Sequence, residues 1–215
     1  ETKDNAMPES FKSVGEVSID YPKLIYDGPF TDSLESKEPK FLSGEKLDAE
    51  QAVKKLEEFL GDIKLSETST QADKEGEIPA YYISAKGSDG SSISAAVSEE
   101  GGIVIWLSRY LQNYEEPKLS EEKCAEKAVE LAHNRGFSNM TPVFAQQSGL
   151  STIVNLAATQ EDVILYPDLI KVKVSSVDGS IELWEARNYI MSHTERSVST
   201  PKLSLEQAKA KLSDK

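Results

Sequence analysis

The chain has 215 residues, of which 38% are hydrophobic and 28% charged, and its formal net charge at pH 7 is −13. This composition is typical of a soluble globular protein with room for one or two domains. The negative charge argues against nucleic acid and anionic membrane surfaces as direct ligands, and it is compatible with a basic partner. No stretch approaches the roughly 20 apolar residues that a membrane-spanning helix needs. The one cysteine, Cys124, has no second cysteine with which to form an intramolecular disulfide.

The first 40 residues predict an N-terminal arm that contains a short strand. The segment Tyr21–Phe30 has the composition of a strand closed by a turn, and its Tyr-Pro-x-Leu-Ile sequence returns at Tyr166–Ile170. We expect the arm to lie on the domain that follows, where it could add a strand to the edge of a sheet.

Three similar helix starts follow the arm, and they indicate an internal repeat. Residues Leu47–Ala52 return as Leu119–Cys124 and again as Leu203–Ala208. Each start carries an N-cap residue, and the first and third also carry the Gln of a capping box. The capping pairs are Asp48 with Gln51 and Ser204 with Gln207, and Ser120 is the cap of the second copy. The apolar faces that follow are Ala52, Leu56, Phe59 and Leu60, and then Cys124, Ala128, Leu131 and Ala132.

Strand-like segments separated by turns follow each of the first two helices. In the first unit they are Ala80–Ala85, Ser92–Ser98 and Ile103–Tyr110, and in the second Val143–Gln146, Thr152–Ala158, Leu169–Val174 and Ser180–Tyr189. Asp-Gly and Gly-Gly pairs supply the turns between neighbouring strands. The pattern predicts an α+β fold built from tandem repeats, each with one helix packed on an antiparallel β-meander sheet.

These elements predict four segments of the chain: an arm over 1–40, a domain over 41–114, a second domain over 117–191 and the start of a third over 199–215. The segments near 115–117 and 192–201 are the expected linkers. Because the third copy has no strands after its helix start, we expect the sequence to be a fragment of a longer protein.

The closing strands of the two units supply the candidate binding residues. Matching Gly102–Tyr110 to Ser180–Tyr189 aligns Trp106 with Trp184. In each strand the apolar side should meet the helix, so both tryptophans should point to the uncovered sheet face. The predicted partner-binding residues are Trp106, Trp184, Val104 and Glu182. The alternative is that the tryptophans pack between the two units or under the arm.

The sequence contains no pattern that indicates catalysis or metal binding. His133 is expected in the last turn of the second helix, where a cation suits the helix dipole, and His193 is in a linker with no partner in view. Ser120 and Lys123 match the S-x-x-K spacing of serine acyl enzymes, but the sister copies show that Ser120 is a helix cap. We therefore predict no catalytic residue, no metal and no cofactor.

The helix start L-[SD]-x-E-x-[AC] and the closing Asp-Gly-x-Ile strand resemble the PepSY domain, in two copies over about 40–191 and a truncated third from about 200. Together with Tyr21–Phe30 and Trp184–Tyr189, they resemble the YpeB family of spore germination proteins. In that family an N-terminal membrane anchor and a helical region precede the PepSY array.

The resemblance implies a non-enzymatic protein that binds, stabilises and restrains the cortex-lytic enzyme SleB. It also implies a location on the extracytoplasmic side of the inner spore membrane and in the cortex region, with membrane contact only through an anchor that this sequence lacks. Two alternatives remain open. One is a structural repeat whose partner site lies on other segments, and the other is a hydrolase of cortex peptidoglycan.

Overall fold

The computed structural model describes residues 38–110, 115–161, 163–197 and 203–211. The predicted strand in Tyr21–Phe30 lies outside these residues. The described helices are α1 (Ala49–Leu60), α2 (Glu121–Asn134), α3 (Arg187–Ser192) and α4 (Leu205–Lys209). The described strands are β1 (Leu65–Asp73), β2 (Ala80–Gly87), β3 (Ser92–Ser98), β4 (Val104–Tyr110), β5 (Met140–Ser148), β6 (Ser151–Gln160), β7 (Val163–Ser175) and β8 (Ile181–Glu185).

The strands of both units join in one antiparallel sheet, in the order β1-β2-β3-β4-β8-β7-β6-β5. Each unit contributes a four-stranded meander, and the two meanders meet where the closing strands β4 and β8 pair. The α+β fold predicted from the sequence is therefore confirmed. The joining of the two sheets was not predicted, because the hydrophobic pattern of a strand does not indicate which strand of another unit pairs with it.

The two long helices begin at the predicted N-cap residues, and their buried faces lie where the sequence predicts them. Asp48 and Gln51 form the capping box of α1, and the Ser120 hydroxyl accepts a hydrogen bond from the Lys123 amide at the start of α2. The buried positions are Ala52, Leu56 and Phe59 in α1 and Cys124, Ala125, Ala128 and Ala132 in α2. Leu60 and Leu131 lie at the margins of the same faces and are half-buried.

Each helix start is fixed to the turn before the closing strand of its own unit. The Leu47 amide donates to the Glu99 carbonyl, and the Leu119 amide donates to the Ser176 carbonyl, both over 2.8 Å. Glycine is required at the adjacent turns. Gly179 has a φ of +79°, and a Cβ there would lie 3.1 Å from Leu119 Cδ1 and in conflict with the side chain of Lys127. The two copies of the sequence repeat therefore make equivalent backbone contacts in the folded chain.

Two elements differ from the sequence prediction. Strand β1 was not predicted, because its sequence is polar and most of its residues are exposed at the sheet edge. The closing strand of the second unit was predicted to reach Tyr189, but β8 ends at Glu185 and the chain turns into α3. The Ala186 amide makes the last ladder bond to β4, and the Glu185 carboxylate accepts the Arg187 amide at the start of α3.

The segment that carries the third helix start forms the short helix α4. Ser204 and Gln207 make the predicted capping box there. None of the helices in the described part of the chain is long and apolar enough to cross a bilayer.

Candidate functional site

The register of the joined sheet separates its two faces. One row of paired residues runs from Ile83 in β2 through Ala95, Leu107, Trp184 and Val172 to Val154 in β6. All six side chains are buried in the core that also contains the apolar residues of α1 and α2. Side chains of cross-strand partners point to the same face of a sheet. This row therefore marks the helix-covered face.

The neighbouring row marks the opposite face, which we call the open face. It contains Tyr82, Ala96, Trp106, Glu185, Lys171, Asn155 and Phe144, each paired with the next across adjacent strands. The next open-face row contains Ser84, Ser94, Ser108, Leu183, Lys173 and Ile153. The open face thus combines aromatic and aliphatic side chains with serines and lysines.

Trp184 lies on the helix-covered face, so the prediction that it points away from the helices is wrong. Its side chain is fully buried, and its ring centroid lies 5.3 Å from that of Phe59 and 5.2 Å from that of Phe137. The indole Nε1–H donates a 3.0 Å hydrogen bond to the Val104 carbonyl. Trp184 therefore joins α1, the segment that follows α2 and both closing strands at the seam between the units.

The error has a simple cause in strand register. Val97 pairs with Val104, and Val174 pairs with Ile181, so Val104 and Ile181 are equivalent. In both closing strands the next residue bulges out of the ladder. Beyond the bulge Trp106 is equivalent to Leu183, and Leu107 is equivalent to Trp184. A sequence match that aligns the two tryptophans is one residue out of register, and such a slip exchanges the two faces.

Trp106 lies on the open face, as predicted. It is half-buried and packs beside Tyr82, which is 43% exposed, with 6.2 Å between the ring centroids. The two rings belong to the same row of the sheet, on β2 and β4, and the small Ala96 of β3 lies between them. The pair therefore forms a continuous aromatic surface on the open face.

Val104 and Glu182 have different environments. The Val104 side chain is 4% exposed, so the residue contributes its carbonyl to Trp184 and no significant side-chain surface. The Glu182 side chain is 28% exposed, and its Oε2 accepts from Ser151 Oγ at 2.8 Å and lies 2.9 Å from Lys173 Nζ. Glu182 is the more accessible of these two predicted contact residues.

Asn155 adds a polar feature to the open face that the sequence did not indicate. Its side chain is 8% exposed, and its Oδ1 has no hydrogen-bond partner among the described residues. Leaving a buried acceptor unpaired costs about 1–3 kcal/mol.

A buried ionic cluster follows α3, in the segment that the sequence presented as a linker. The Asp168 carboxylate is fully buried and accepts two hydrogen bonds from the Arg196 guanidinium, at 2.6 and 2.7 Å. His193 Nδ1 lies 2.7 Å from Asp168 Oδ2, and its ring stacks on Tyr189 at 4.2 Å. Burial, together with the charge of Asp168, raises the pKa of Tyr189 to about 12. The prediction that His193 has no partner is therefore wrong.

A second ion pair closes the turn between β2 and β3. Burial of Asp89 opposes its ionisation, but hydrogen bonds from Ser91 and from the Arg109 guanidinium outweigh this effect and lower its pKa to about 2. Arg109 also donates to the Ile181 carbonyl of the second unit. The pair thus links a turn of the first unit to the closing strand of the second.

The candidates for chemistry have structural roles in the described part of the chain. Ser120 caps α2, and Cys124 is fully buried with its Sγ 3.8 Å from Ser176 Oγ. His133 is exposed in the last turn of α2. No group of three or more His, Cys, Asp and Glu side chains within the described ranges is arranged to hold a metal ion.

The fold and the open face define a class of protein: tandem α+β units of the PepSY type that join their sheets and leave one sheet face uncovered by the described helices. The family description "YpeB sporulation, PepSY1 and PepSY2 domains" matches residues 7–211. The chain belongs to this family.

Individual relatives agree with this assignment. The chain is 26% identical over 216 residues to the sporulation protein YpeB of Bacillus subtilis, covering 97% of this chain and 47% of the relative. It is 28% identical over 116 residues to the sporulation protein YpeB of Halalkalibacterium halodurans, covering 54% of this chain and 26% of the relative. The chain thus spans at most about half the length of these curated relatives.

A solved structure, the C-terminal domain of Bacillus megaterium YpeB, has a similar fold. Its TM-score to this chain is 0.70 at 21% sequence identity, and the match covers 80% of this chain and 76% of the other. At this identity the similarity establishes the fold, and it agrees with the α+β architecture described above.

Proposed function

We propose that the chain is a non-enzymatic binding module that acts in spore germination by holding and restraining the cortex-lytic enzyme SleB. The site of action would be the extracytoplasmic side of the inner spore membrane and the cortex region. The proposal is supported by membership of a sporulation family with PepSY domains. The sequence resemblance described above supplies the named enzyme and the location.

The observation that carries the proposal is the composition of the open face. Trp106 and Tyr82 present adjacent rings there, and Phe144 on the edge strand β5, which is 40% exposed, adds a third aromatic side chain farther along the same face. Exposed aromatic side chains are frequent anchors at protein interfaces, because they bury a large area at a low cost in conformational entropy. The proposal assigns partner contact to Trp106 in particular.

Polar groups around these rings would fix the orientation of the partner. Lys171 is exposed next to Asn155, and Lys173 and Glu182 form a partly exposed ion pair on the same face. A rim of charged groups around an aromatic centre is the usual anatomy of a specific interface. Glu182 therefore retains its predicted role at the margin of the proposed surface.

The binding test uses purified SleB and the full chain with two variants. Trp106→Ala should weaken binding at least tenfold, because truncating an aromatic anchor typically costs about 2 kcal/mol or more. Tyr166→Ala is the matched control, since Tyr166 is 41% exposed, close to the exposure of Tyr82, but lies outside the open-face rows. Affinity that is the same for both variants and the unaltered chain would remove Trp106 from the interface.

The restraint test measures the release of cortex fragments by SleB as the chain is added. Restraint predicts that the rate of release falls with saturation of the complex, and that the Trp106→Ala variant needs a higher concentration for the same effect. An unchanged rate at saturating chain would contradict restraint. Fragment release by the chain alone would contradict the non-enzymatic assignment.

The burial of Trp184 favours a second candidate, a structural repeat whose partner site lies on other segments. This tryptophan serves the seam between units and leaves no indole surface for a partner. Trp106 is only half-buried, so a purely structural role explains the tryptophan in β8 but does not explain the one in β4. The absence of any binding to SleB would favour it.

A further inference from the structure

An acidic groove runs along the outer flank of α2, away from the open face. It lies between α2 and Pro142 of the edge strand β5 and has a volume of about 630 Å3. Ala125 and Val129 of α2 form its apolar floor together with Pro142, and Glu122, Glu126 and Glu130 line its rim. His133 lines its C-terminal end. We call this feature the α2 groove.

The α2 groove is specific to the second unit, although the two units share one plan. Lys55 of α1 and Lys127 of α2 occupy equivalent positions, because each covers the glycine at the turn before its closing strand. By this equivalence Val129 corresponds to Glu57. The Glu57 carboxylate accepts a 2.9 Å hydrogen bond from the Leu65 amide at the edge of the sheet. In the first unit, the residue at this position therefore binds the edge strand of its own sheet. In the second unit, the equivalent residue is an apolar valine that lines the groove.

The edge strand beside the groove is a poor template for an added strand. Proline has no amide hydrogen, so β5 lacks a donor at Pro142. The Gln147 amide is already bonded to the Glu121 carboxylate of α2 at 2.8 Å. Strand addition depends on free main-chain donors and acceptors along the edge. An occupant would therefore recognise the side chains of the groove, as a helix in a groove does.

The rim of the α2 groove carries three glutamates, of which the middle one forms an ion pair with a lysine. Glu122, Glu126 and Glu130 recur every four residues and so follow one edge of the helix. Hydrogen bonding by the Ser120 hydroxyl lowers the pKa of Glu122, and Glu126 has the Lys123 ammonium group at 2.6 Å. All three side chains are exposed. The rim would attract a segment whose apolar residues are flanked by lysine or arginine.

The length of the groove sets the size of its occupant. From Glu122 to His133 the helix rises by roughly 16 Å, or about three turns. A partner helix of similar length could lay its i, i+3, i+4 and i+7 side chains over Ala125 and Val129.

We propose that the α2 groove binds a basic amphipathic helix of a partner protein, about three turns long, with apolar side chains on Val129 and basic side chains against the glutamate rim. The site is separate from Trp106 and the open face. The inference therefore stands independently of the function proposed above.

The test measures binding of a fluorescein-labelled amphipathic peptide of leucine and lysine, about 11 residues long, to the full chain by fluorescence anisotropy. A peptide with glutamate in place of lysine is the ligand control. Glu126→Lys combined with Glu130→Lys should weaken binding of the basic peptide at least tenfold. Both residues are exposed, so the variant should fold, which circular dichroism verifies.

The matched protein control carries Glu50→Lys and Glu58→Lys on α1. It has the same net charge, and it also removes one ion pair three residues apart, between Glu58 and Lys55. The proposal requires this control to change affinity less than twofold. Equal losses in the two variants, equal binding of the acidic peptide or no binding of the basic peptide would each overturn it.

A second copy of the chain is the competing occupant. Sedimentation velocity over a range of concentrations distinguishes it. If the unaltered chain and the Glu126→Lys and Glu130→Lys variant both sediment as monomers, the proposal is supported. Self-association that the Glu126→Lys and Glu130→Lys variant abolishes would assign the groove to a dimer and overturn the proposal.

Discussion

Replacing Trp184 by alanine should destabilise the whole sheet, because this side chain joins both units. The indole is fully buried between Phe59 and Phe137 and donates to the Val104 carbonyl. Truncating a buried tryptophan to alanine typically costs about 3–5 kcal/mol. The two aromatic contacts and the carbonyl left without its donor place Trp184→Ala toward the upper end of that range.

The assay is urea unfolding of the full chain, followed by far-UV circular dichroism. Trp184→Ala should lower the midpoint with little change in slope, so that the free energy of unfolding falls by about 4–5 kcal/mol. Trp106→Ala is the matched control, because it deletes the same side chain from the half-buried position on the open face and should cost about 1–2 kcal/mol. Equal losses in the two variants, or a loss below about 1 kcal/mol for Trp184→Ala, would refute the assignment of the two faces.

Three further predictions concern residues of the second unit. Asp168→Asn removes the buried charge that accepts the Arg196 guanidinium, so it should cost about 1–3 kcal/mol and speed trypsin cleavage after residue 196; an unchanged cleavage rate would contradict the docking of this segment. Tyr189 has a pKa of about 12 against about 10 for an unfolded tyrosine, so the unfolded chain releases its proton first as the pH rises. The contribution of Tyr189 to the free energy of unfolding should therefore be fully present below pH 10, and between pH 10 and 12 it should fall by up to about 2.7 kcal/mol, as measured by urea titration. A Tyr189→Phe variant that loses the same free energy over that pH range would refute the prediction. Gly179→Ala should lower the melting temperature more than Gly90→Ala, since both glycines have positive φ but only at Gly179 does a Cβ meet other side chains; equal shifts would show that backbone strain alone decides.

The helices were predictable because their signals are local. Capping residues and an apolar spacing of three to four residues depend on the chain within one element, so Asp48, Ser120 and the buried face of α1 could be read directly. The strand β1 could not be predicted, because an exposed edge strand needs no apolar side chains. Its position depends on pairing with β2, which is a long-range contact.

The candidate site shows the limit of repeat alignment. Aligning Trp106 with Trp184 maximises sequence similarity, but strand pairing places Trp184 opposite Leu107 and Trp106 opposite Glu185. The bulge in each closing strand cannot be seen in the sequence, and a single residue of register decides which face a side chain takes. The Asp168 cluster was missed for a related reason, since Arg196 is distant from Asp168 in sequence and resembles an ordinary linker residue.

The affinity of purified SleB for the full chain, compared between the unaltered chain and Trp106→Ala, tests the proposed binding role most directly. Isothermal titration calorimetry measures it without a label, and unfolding measurements establish that the variant is folded. Saturable binding that Trp106→Ala weakens at least tenfold is the result that the open-face proposal predicts. Binding of equal strength in both proteins would contradict the open face as the interface, and no binding of the unaltered chain would contradict the proposed function.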